Sequence, residues 1–469
     1  MARLIHRGVM FDLARGMERK DYYRDILPHL RDWGYNLLHL HLADDQGCRL
    51  VFPSHPEFAS AGAFTAEELR ALQAEARRCN IEILPEIETL GHTRFITGHP
   101  AWRDLGGAAD DRRPMNAIDP ERPRTRRLLG ELLRDMAGIF EGPLLHAGLD
   151  EVDFSALPRY RNRPPETLWT VFADHAAWVH DTIRALGKRP AMWGDHLLSA
   201  RPMAEKFGSD VLIFDWHYLA EVDPASLDFL ERAGFEVWAA PATVWWYVRL
   251  LPGPGVFRNI REFSAHAAQP QRRRVTGIVN TVWCPWRFLP GALDWPLAWA
   301  GRLFESGEER ADFCRQFCRD FYGLDRVSAA DCAEALSVLH GLAPDTPRLD
   351  AVMAGGAAFT REHRRECRAA LPLLAGALRR LDRAERRARR HGERLHDVTL
   401  SARILERWAA RGAGGVATRP SPLAECRARW RAARPYPTPV FEAAGRWQHV
   451  LRLAAGLARV PFRKGVRHA

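Results

Sequence analysis

The sequence has no long apolar run, no low-complexity block and no dense group of cysteines, since its eight cysteines are scattered over 469 positions. A membrane-spanning helix needs about 20 consecutive apolar residues, and a disordered chain has too few hydrophobic residues to form a core. With 46% hydrophobic and 27% charged residues, the composition is that of a globular protein. These absences exclude the disordered, fibrous and membrane-protein classes.

The N-terminus lacks the pattern of a secretory signal, which is a basic segment followed by a long apolar stretch. We therefore expect a cytoplasmic protein. The one closely spaced cysteine pair, Cys314 and Cys318, has no second pair at the spacing of a zinc site. We expect reduced thiols, and neither a metal nor another cofactor.

Lysine is also scarce, because only four of the 68 basic residues are Lys. The net charge of +10 arises in residues 361–469, whereas residues 1–360 are net acidic. Nucleic-acid binding would depend on the C-terminal part alone, where residues 379–394 have the pattern of a solvated helix face. We expect neither a nucleic-acid partner nor a membrane partner.

From residue 7 to about residue 305, short β-rich segments alternate with amphipathic helical segments such as 19–33 and 65–78. In the second helix, Thr65 and Glu68 have the spacing of a capping box. The eight predicted strands are 8–12, 36–42, 81–87, 144–150, 190–195, 211–216, 236–240 and 277–283. Eight such units predict an α/β fold, a (β/α)8 TIM barrel with its active site at the C-terminal strand ends.

The alternative fold is a doubly wound open sheet. That fold usually has a glycine-rich phosphate turn after its first strand, and Asp12-Leu13-Ala14-Arg15-Gly16 is not one. After residue 305 the strand patterns stop and helical periodicity continues. We therefore expect a catalytic barrel over residues 1–305 and a C-terminal α-helical region over residues 306–469.

Acidic residues and tryptophans lie at the ends of most predicted strands. They are Asp12, Asp44, Asp45, Glu86, Glu88, Asp150, Glu151, Asp195 and Asp215, with Trp193, Trp216, Trp245, Trp246, Trp283 and Trp286. A tryptophan face packs on the apolar face of a sugar ring, and carboxylates accept hydrogen bonds from its hydroxyls. The pattern predicts a cleft for a neutral polar ring.

The most informative element is His146-Ala147-Gly148-Leu149-Asp150-Glu151, at the end of the fourth predicted strand. Adjacent residues have Cα atoms about 3.8 Å apart and diverging side chains, so the two carboxylates would have different tasks. Ordinary retaining glycosidases take two carboxyl groups from separate elements, whereas an adjacent pair suits one acid and one orienting carboxylate. The alternative is a structural one, in which Asp150 caps a helix and Glu151 lies in its first turn.

Four motifs in this order resemble those of glycoside hydrolase family 20, the β-N-acetylhexosaminidases. They are Arg7-Gly8-Val9-Met10-Phe11-Asp12, Leu38-His39-Leu40-His41-Leu42-Ala43-Asp44-Asp45-Gln46, Pro85-Glu86-Ile87-Glu88-Thr89-Leu90-Gly91-His92 and the segment from His146 to Glu151. The resemblance covers roughly residues 5–300. It is closest to a divergent branch that lacks the family's small N-terminal domain and has a helical region after the barrel.

The resemblance implies a retaining exo-β-N-acetylhexosaminidase that hydrolyses terminal β-linked GlcNAc or GalNAc. In this family the 2-acetamido oxygen of the substrate attacks the anomeric carbon and forms an oxazolinium intermediate. By motif position, Glu151 is the general acid and then the base, and Asp150 holds the acetamido N–H and stabilises positive charge. The implied partner is a glycan that contains N-acetylhexosamine, and a homodimer is left open.

The resemblance also assigns the groups that bind the sugar. Arg7 would bind sugar hydroxyls, and Asp44 or Asp45 with His92 would form a chain of hydrogen bonds to the acid. The acetamido oxygen would contact Tyr218 or Tyr247, of which we favour Tyr218. The remaining expected subsite residues are Trp193, Trp246 and Trp283 as aromatic walls, together with His146, Asp195, Asp215 and Trp216.

The sequence departs from the family pattern at several positions. Cys48 replaces a usual aromatic residue, Glu88 an Asp and Leu149 a small residue. Many members also place an acid shortly after the tryptophan that corresponds to Trp283, but Cys284 and Pro285 follow here. The preference for gluco or galacto substrates therefore stays open.

Two other functions are compatible with parts of the sequence, namely metal-dependent hydrolysis and carbohydrate binding without catalysis. His39 and His41 lie on one strand face, as in metal-dependent amidohydrolase barrels, and His196 and His217 follow later strands. In that superfamily the histidine pair lies on the first strand, whereas here it lies on the second. A non-catalytic carbohydrate-binding barrel would need the cleft but not the acid Glu151.

Overall fold

The computed structural model describes residues 4–106, 117–246, 248, 250–344, 358–415 and 421–436. Within these ranges no helix has both the length and the apolar character that a membrane span requires.

Eight parallel strand positions form a closed barrel, which confirms the predicted fold. They are β1 (His6–Asp12), β2 (Leu37–His41), β3 (Glu82–Glu86), β4 (Leu144–His146), β5 (Arg189–Trp193), β6 (Leu212–Trp216), β7 (Glu236–Ala240, continued by Ala242–Val244) and β8 (Val275–Val282). The strands pair in chain order, and β1 pairs with both β2 and β8, which closes the sheet. Both pieces of β7 pair with β8.

Helices surround the barrel and continue after it. They are α1 (Lys20–Asp25), α2 (Leu27–Asp32), α3 (Ala66–Arg78), α4 (Arg94–Thr97), α5 (Pro123–Ile139), α6 (Pro165–Ala185), α7 (Asp195–Ser199), α8 (Ala225–Arg232), α9 (Pro254–Ala267), α10 (Asp294–Ser306), α11 (Phe313–Tyr322), α12 (Arg326–Leu342), α13 (Arg361–Glu385), α14 (Gly392–Ala413) and α15 (Leu423–Ala433). Because these helices cover the outside while side chains fill the inside, all five residues of β2 are buried.

The local predictions hold apart from shifted boundaries, among them that of β5, which ends at Trp193 rather than at residue 195. The capping box of α3 is present, since Glu68 N donates to Thr65 Oγ1 at 3.2 Å and Thr65 N donates to Glu68 Oε2 at 2.8 Å. The predicted helix 19–33 is divided at Ile26 into α1 and α2, and Pro28 lies in the first turn of α2. β4 ends at His146, whereas the prediction extends the strand to residue 150.

The C-terminal helices pack on one another and on the barrel. Arg394 of α14 forms an ion pair with Asp294 at the start of α10. Gly291 N, just before α10, donates to Asp397 Oδ2 of α14 at 3.1 Å. A side chain at Gly291 would overlap the backbone of Arg394, so the two regions are in close contact.

Candidate active site

Three carboxylates converge on His92 at the C-terminal end of the barrel. Its Nδ1 lies 3.0 Å from Asp45 Oδ2, and its Nε2 lies 3.4 Å from Glu151 Oε2 and 3.8 Å from Asp150 Oδ2. Burial disfavours a charged imidazole, but the carboxylates of Asp150, Asp45 and Glu151 outweigh it and raise the pKa of His92 well above its ordinary value. His92 is therefore a cation at neutral pH.

A left-handed turn after β4 directs both neighbouring carboxylates toward His92. Gly148, Leu149 and Glu151 have φ angles of 67°, 72° and 45°. Left-handed backbone costs a non-glycine residue about 1–2 kcal/mol, and such strain is typical of functional sites. A Cβ at position 148 would lie 2.1 Å from Glu88 Oε2, so only glycine fits there. The strand prediction to residue 150 is wrong because of this turn.

Asp150 and Glu151 lie in different environments. Burial, with the charges of Asp195 and Glu151, raises the pKa of Asp150 to about 6. The Glu151 side chain is 40% exposed, and its hydrogen bond with His92 lowers its pKa. The two neighbours thus differ in proton affinity, as groups with separate tasks must.

Glu88 is buried against the turn that carries Asp150, since its carboxylate faces Gly148. Burial, followed by the charge of Asp150, raises the pKa of Glu88 well above its ordinary value. A buried carboxyl beside another carboxylate favours its neutral form. Glu88 is also longer than the aspartate expected at this position.

The first residues of α7, which follows β5, hold the turn from the other side. Glu151 N donates to Asp195 Oδ2 at 3.0 Å, and Val152 N donates to His196 Nε2 at 2.9 Å. Asp195 and His196 thus fix the backbone of the acidic pair.

Arg15 lies at the mouth of the barrel, where the sequence predicted Arg7. It forms ion pairs with Asp12 at 3.2 Å and with Asp44 at 2.8 Å, and its guanidinium lies 5.0 Å from the centre of the Trp283 ring. Asp45 contacts His92, so Asp44 and Asp45 belong to two different groups.

The expectation for Arg7 does not hold. Arg7 lies at the start of β1, and its guanidinium donates to the carbonyl oxygens of Gly34 at 2.8 Å and Leu4 at 3.0 Å. The starts and ends of barrel strands lie at opposite ends of the fold. Arg15 was missed, although it follows Asp12 by three residues at the end of the first predicted strand.

Aromatic side chains lie beside Arg15 at the mouth. Trp283 Nε1 donates to the hydroxyl of Tyr218 at 2.8 Å, and Trp216 stacks on Tyr218 with ring centres 5.0 Å apart. Trp246 is 42% exposed, and Arg15 lies 5.8 Å from the centre of its ring. Tyr247, the other candidate tyrosine, lies outside the described residues.

Besides Arg7, two further predicted subsite residues lie away from the mouth of the barrel. Trp193 is fully buried inside the barrel, where its Nε1 donates to Glu86 Oε1 at 2.6 Å. Asp215 is also buried; its carboxylate accepts a hydrogen bond from Ser226 Oγ at 2.6 Å and lies 3.0 Å from His217. Neither side chain is available to a ligand, because both are buried. The prediction was wrong because the position of a residue on a strand does not show whether its side chain points inward, outward or toward the mouth.

His146 belongs to a second group, which lies inside the barrel around Glu86. His39 Nε2 and His41 Nδ1 each lie 2.9 Å from Glu86 Oε2, and His146 Nδ1 lies 3.3 Å from Glu86 Oε1. Ligand atoms of His39, Glu86 and His146 lie close enough together to be considered for a metal ion. The 2.9 Å separations are those of ion pairs between an imidazole and a carboxylate.

The chain matches one family model and several curated relatives. The model described as glycosyl hydrolase family 20, catalytic domain, matches residues 5–257. A β-hexosaminidase of Vibrio furnissii is 24% identical over 331 residues, which are 60% of this chain and 53% of the relative. A β-N-acetylhexosaminidase of Cellulomonas fimi is 27% identical over 260 residues, 51% of this chain and 48% of the relative. The chain thus spans about half the length of these curated relatives.

Solved structures share the fold at low identity. A family 20 exo-β-N-acetylglucosaminidase from Vibrio harveyi, in complex with N-acetylglucosamine, gives a TM-score of 0.53 at 23% identity and covers 66% of this chain and 56% of its own. A Flavobacterium johnsoniae chitobiase gives a TM-score of 0.55 at 16% identity and covers 96% of this chain and 78% of its own. At these identities the likeness is one of fold.

Proposed function

The chain belongs to glycosyl hydrolase family 20, and we propose that it is a retaining exo-β-N-acetylhexosaminidase that releases terminal β-linked GlcNAc or GalNAc from glycans. One observation carries the proposal: neighbouring Asp150 and Glu151 both face the cation His92 at the barrel mouth. The curated relatives are themselves named β-hexosaminidase and β-N-acetylhexosaminidase, which supports the proposal. A cytoplasmic location and a possible homodimer are part of the same proposal.

Glu151 is proposed as the general acid and base. Its side chain is the most exposed carboxylate of the group, so it can reach the glycosidic oxygen of a bound substrate. A bound sugar would cover this exposed face, and the loss of water favours the protonated form. Glu151 then donates its proton to the leaving oxygen and afterwards takes a proton from the attacking water.

The substrate is proposed to supply its own nucleophile. Asp12 and Asp44 are paired with Arg15, and Asp45 is paired with His92. Carboxylates held in this way are not free to form a bond with the sugar. As the family resemblance implies, the 2-acetamido oxygen attacks the anomeric carbon and closes an oxazolinium ring, while the bond to the protonated leaving oxygen breaks.

Asp150 and Tyr218 are proposed to hold the acetamido group. The ionised Asp150 accepts the acetamido N–H and stabilises the positive charge that spreads over the forming ring. The Tyr218 hydroxyl accepts a hydrogen bond from Trp283, so its own proton is available for the acetamido oxygen. Trp283 supplies the aromatic wall, and Arg15 takes the place proposed for Arg7 in binding hydroxyls.

Three aryl glycosides test the function. The nitrophenyl β-N-acetylglucosaminide and β-N-acetylgalactosaminide should be hydrolysed, and their ratio gives the gluco or galacto preference. The plain nitrophenyl β-glucoside should be inert, because it lacks the internal nucleophile. Comparable turnover of the β-glucoside would contradict the substrate-assisted mechanism, and tight binding of N-acetylglucosamine without turnover would favour the carbohydrate-binding alternative.

A further inference from the structure

The last described segment of the chain, residues 433–436, lies against the active-site face of the barrel. Ala433 O accepts a hydrogen bond from Arg19 N at 2.8 Å. The Tyr436 ring packs on Gly62, where an added Cβ would lie 2.1 Å from a ring atom. This C-terminal segment therefore contacts loops that follow β1 and β2, far from it in sequence.

Arg434 makes the central contacts of this segment. It is 3% exposed. Its Nη2 donates to Glu18 Oε1 at 2.7 Å and its Nη1 donates to Phe288 O at 3.0 Å. The guanidinium also lies 5.2 Å from the centre of the Phe288 ring. One buried cation thus joins the loop after β1, residues 13–19, to the loop after β8, residues 283–290.

Both loops carry groups of the candidate site. Glu18 follows Arg15 by three residues, and its other oxygen accepts a hydrogen bond from Tyr23 at 3.0 Å. Phe288 lies on the loop that begins with Trp283. Nearer the barrel, Asp12 already joins the same loops, because its Oδ2 accepts from Cys284 N at 3.0 Å while pairing with Arg15.

We propose that Arg434 is a positioning residue that fixes Arg15 and Trp283 for the bound sugar. Asp12 connects the two loops at their base and Arg434 connects them at their outer ends, so neither loop can move without the other. The inference rests on the proposed function for its kinetic consequence. Arg434 lies outside residues 5–257, the part that the family model matches, so the C-terminal region contributes to the site.

The test compares three variants of the full chain by hydrogen exchange and kinetics. Arg434→Met removes both hydrogen bonds. Arg434→Lys keeps a positive charge beside Glu18, but an ammonium group lacks the planar guanidinium that contacts Glu18 and Phe288 O together. The control is Arg383→Met, which removes a contact with Asp331 between α12 and α13, remote from the loops. Amide exchange in residues 13–19 and 283–290 should be about tenfold faster in Arg434→Met, intermediate in Arg434→Lys and unchanged in the control.

With nitrophenyl β-N-acetylglucosaminide, Arg434→Met should raise KM about tenfold and change kcat less than about threefold, since ligand binding loses positioned groups. Wild-type exchange in both loops, or equally faster exchange throughout the chain, would overturn the proposal. If Arg434→Met does not fold, Glu18→Gln and Arg434→Lys test the proposal instead, by amide exchange in the two loops and by KM. An inactive wild type would refute the proposed function alone, since the exchange result still decides the role of Arg434.

Discussion

The barrel holds two groups of histidines and carboxylates, which are centred on Glu86 and on His92. Histidines outnumber the carboxylate in one group, and carboxylates outnumber the histidine in the other. The inner group, inside the barrel, has the carboxylate Glu86 surrounded by His39, His41 and His146. The outer group, at the mouth, has one imidazole, His92, surrounded by carboxylates. Donors exceed acceptors in the first group, and acceptors exceed donors in the second.

This difference decides where a proton can move. Burial opposes the charge of Glu86, but the three imidazoles outweigh it and hold its pKa well below the ordinary value. In return Glu86 overcomes burial and raises the pKa of His41 to about 10, so the pair keeps its charges at all moderate pH values. In the outer group, Asp150 has its pKa raised to about 6. The inner group is structural and the outer group is suited to acid–base chemistry.

The largest expected effect is that of Glu151→Gln in the outer group. The amide cannot donate a proton to the leaving oxygen, so hydrolysis of unactivated glycosides should slow by about 10²–10⁴-fold. Activated aryl glycosides need little protonation and should slow far less. Steady-state kcat/KM on a dinitrophenyl N-acetylglucosaminide and on a disaccharide measures the difference. Equal losses on both substrates would contradict the assignment.

Asp150→Asn should impair both substrate types. The neutral amide cannot stabilise the positive charge of the forming ring, and the loss of such a group typically costs about 10²–10³-fold in rate. Asp153→Asn, on the same loop, is the control; its carboxylate accepts only a local hydrogen bond from Ser155 N, and its rate should stay within about threefold. Wild-type turnover of activated substrates by Asp150→Asn would rule out substrate assistance.

Glu86→Gln tests the inner group, where the expected effect is on stability. The change removes the carboxylate nearest to His41, at 2.9 Å, while Asp44 stays 3.6 Å away. It should lower the free energy of unfolding by about 2–3 kcal/mol. Urea unfolding at neutral pH measures this loss. Glu82→Gln, at the other end of β3, is the control; burial already disfavours its charge, so stability should change by less than about 0.5 kcal/mol. A stable but inactive Glu86→Gln would mean that the inner group takes part in catalysis.

The fold could be predicted from the sequence because it depends on repeated local patterns. Each strand and helix of the barrel has its own hydrophobic period, and the eight repeats leave few alternatives. The boundary of β4 was missed because it depends on the left-handed turn at Gly148 and Leu149. The turn is held by Asp195 and His196, which accept hydrogen bonds from the backbone of Glu151 and Val152, and no local pattern contains these distant contacts.

The site could be predicted in part. Motif order pointed to Asp150, Glu151 and His92, since adjacent acids at a strand end carry a chemical signal of their own. The assignment of Arg7 was wrong because Arg7 lies at the start of β1, at the opposite end of the barrel from the mouth, where Arg15 follows the end of the same strand. The contribution of Arg434 could not be read from sequence at all, because its partner Glu18 lies at the other end of the chain.

The smallest expected effect is a shift in the pH dependence, and it follows from the order of proton affinities in the outer group. The proposed reaction needs Asp150 ionised and Glu151 protonated, yet in the free protein the pKa of Asp150 is raised to about 6 and that of Glu151 is lowered. When the pair holds one proton, that proton lies mostly on Asp150, and the productive form with the proton on Glu151 is the less populated of the two. Profiles of kcat/KM should be bell-shaped and fall by about tenfold per pH unit above about pH 6, where this last proton is lost. Asp195→Asn removes a negative charge that raises the pKa of Asp150, so the alkaline limb should move to lower pH. A limb that moves to higher pH would show that Asp150 does not control it.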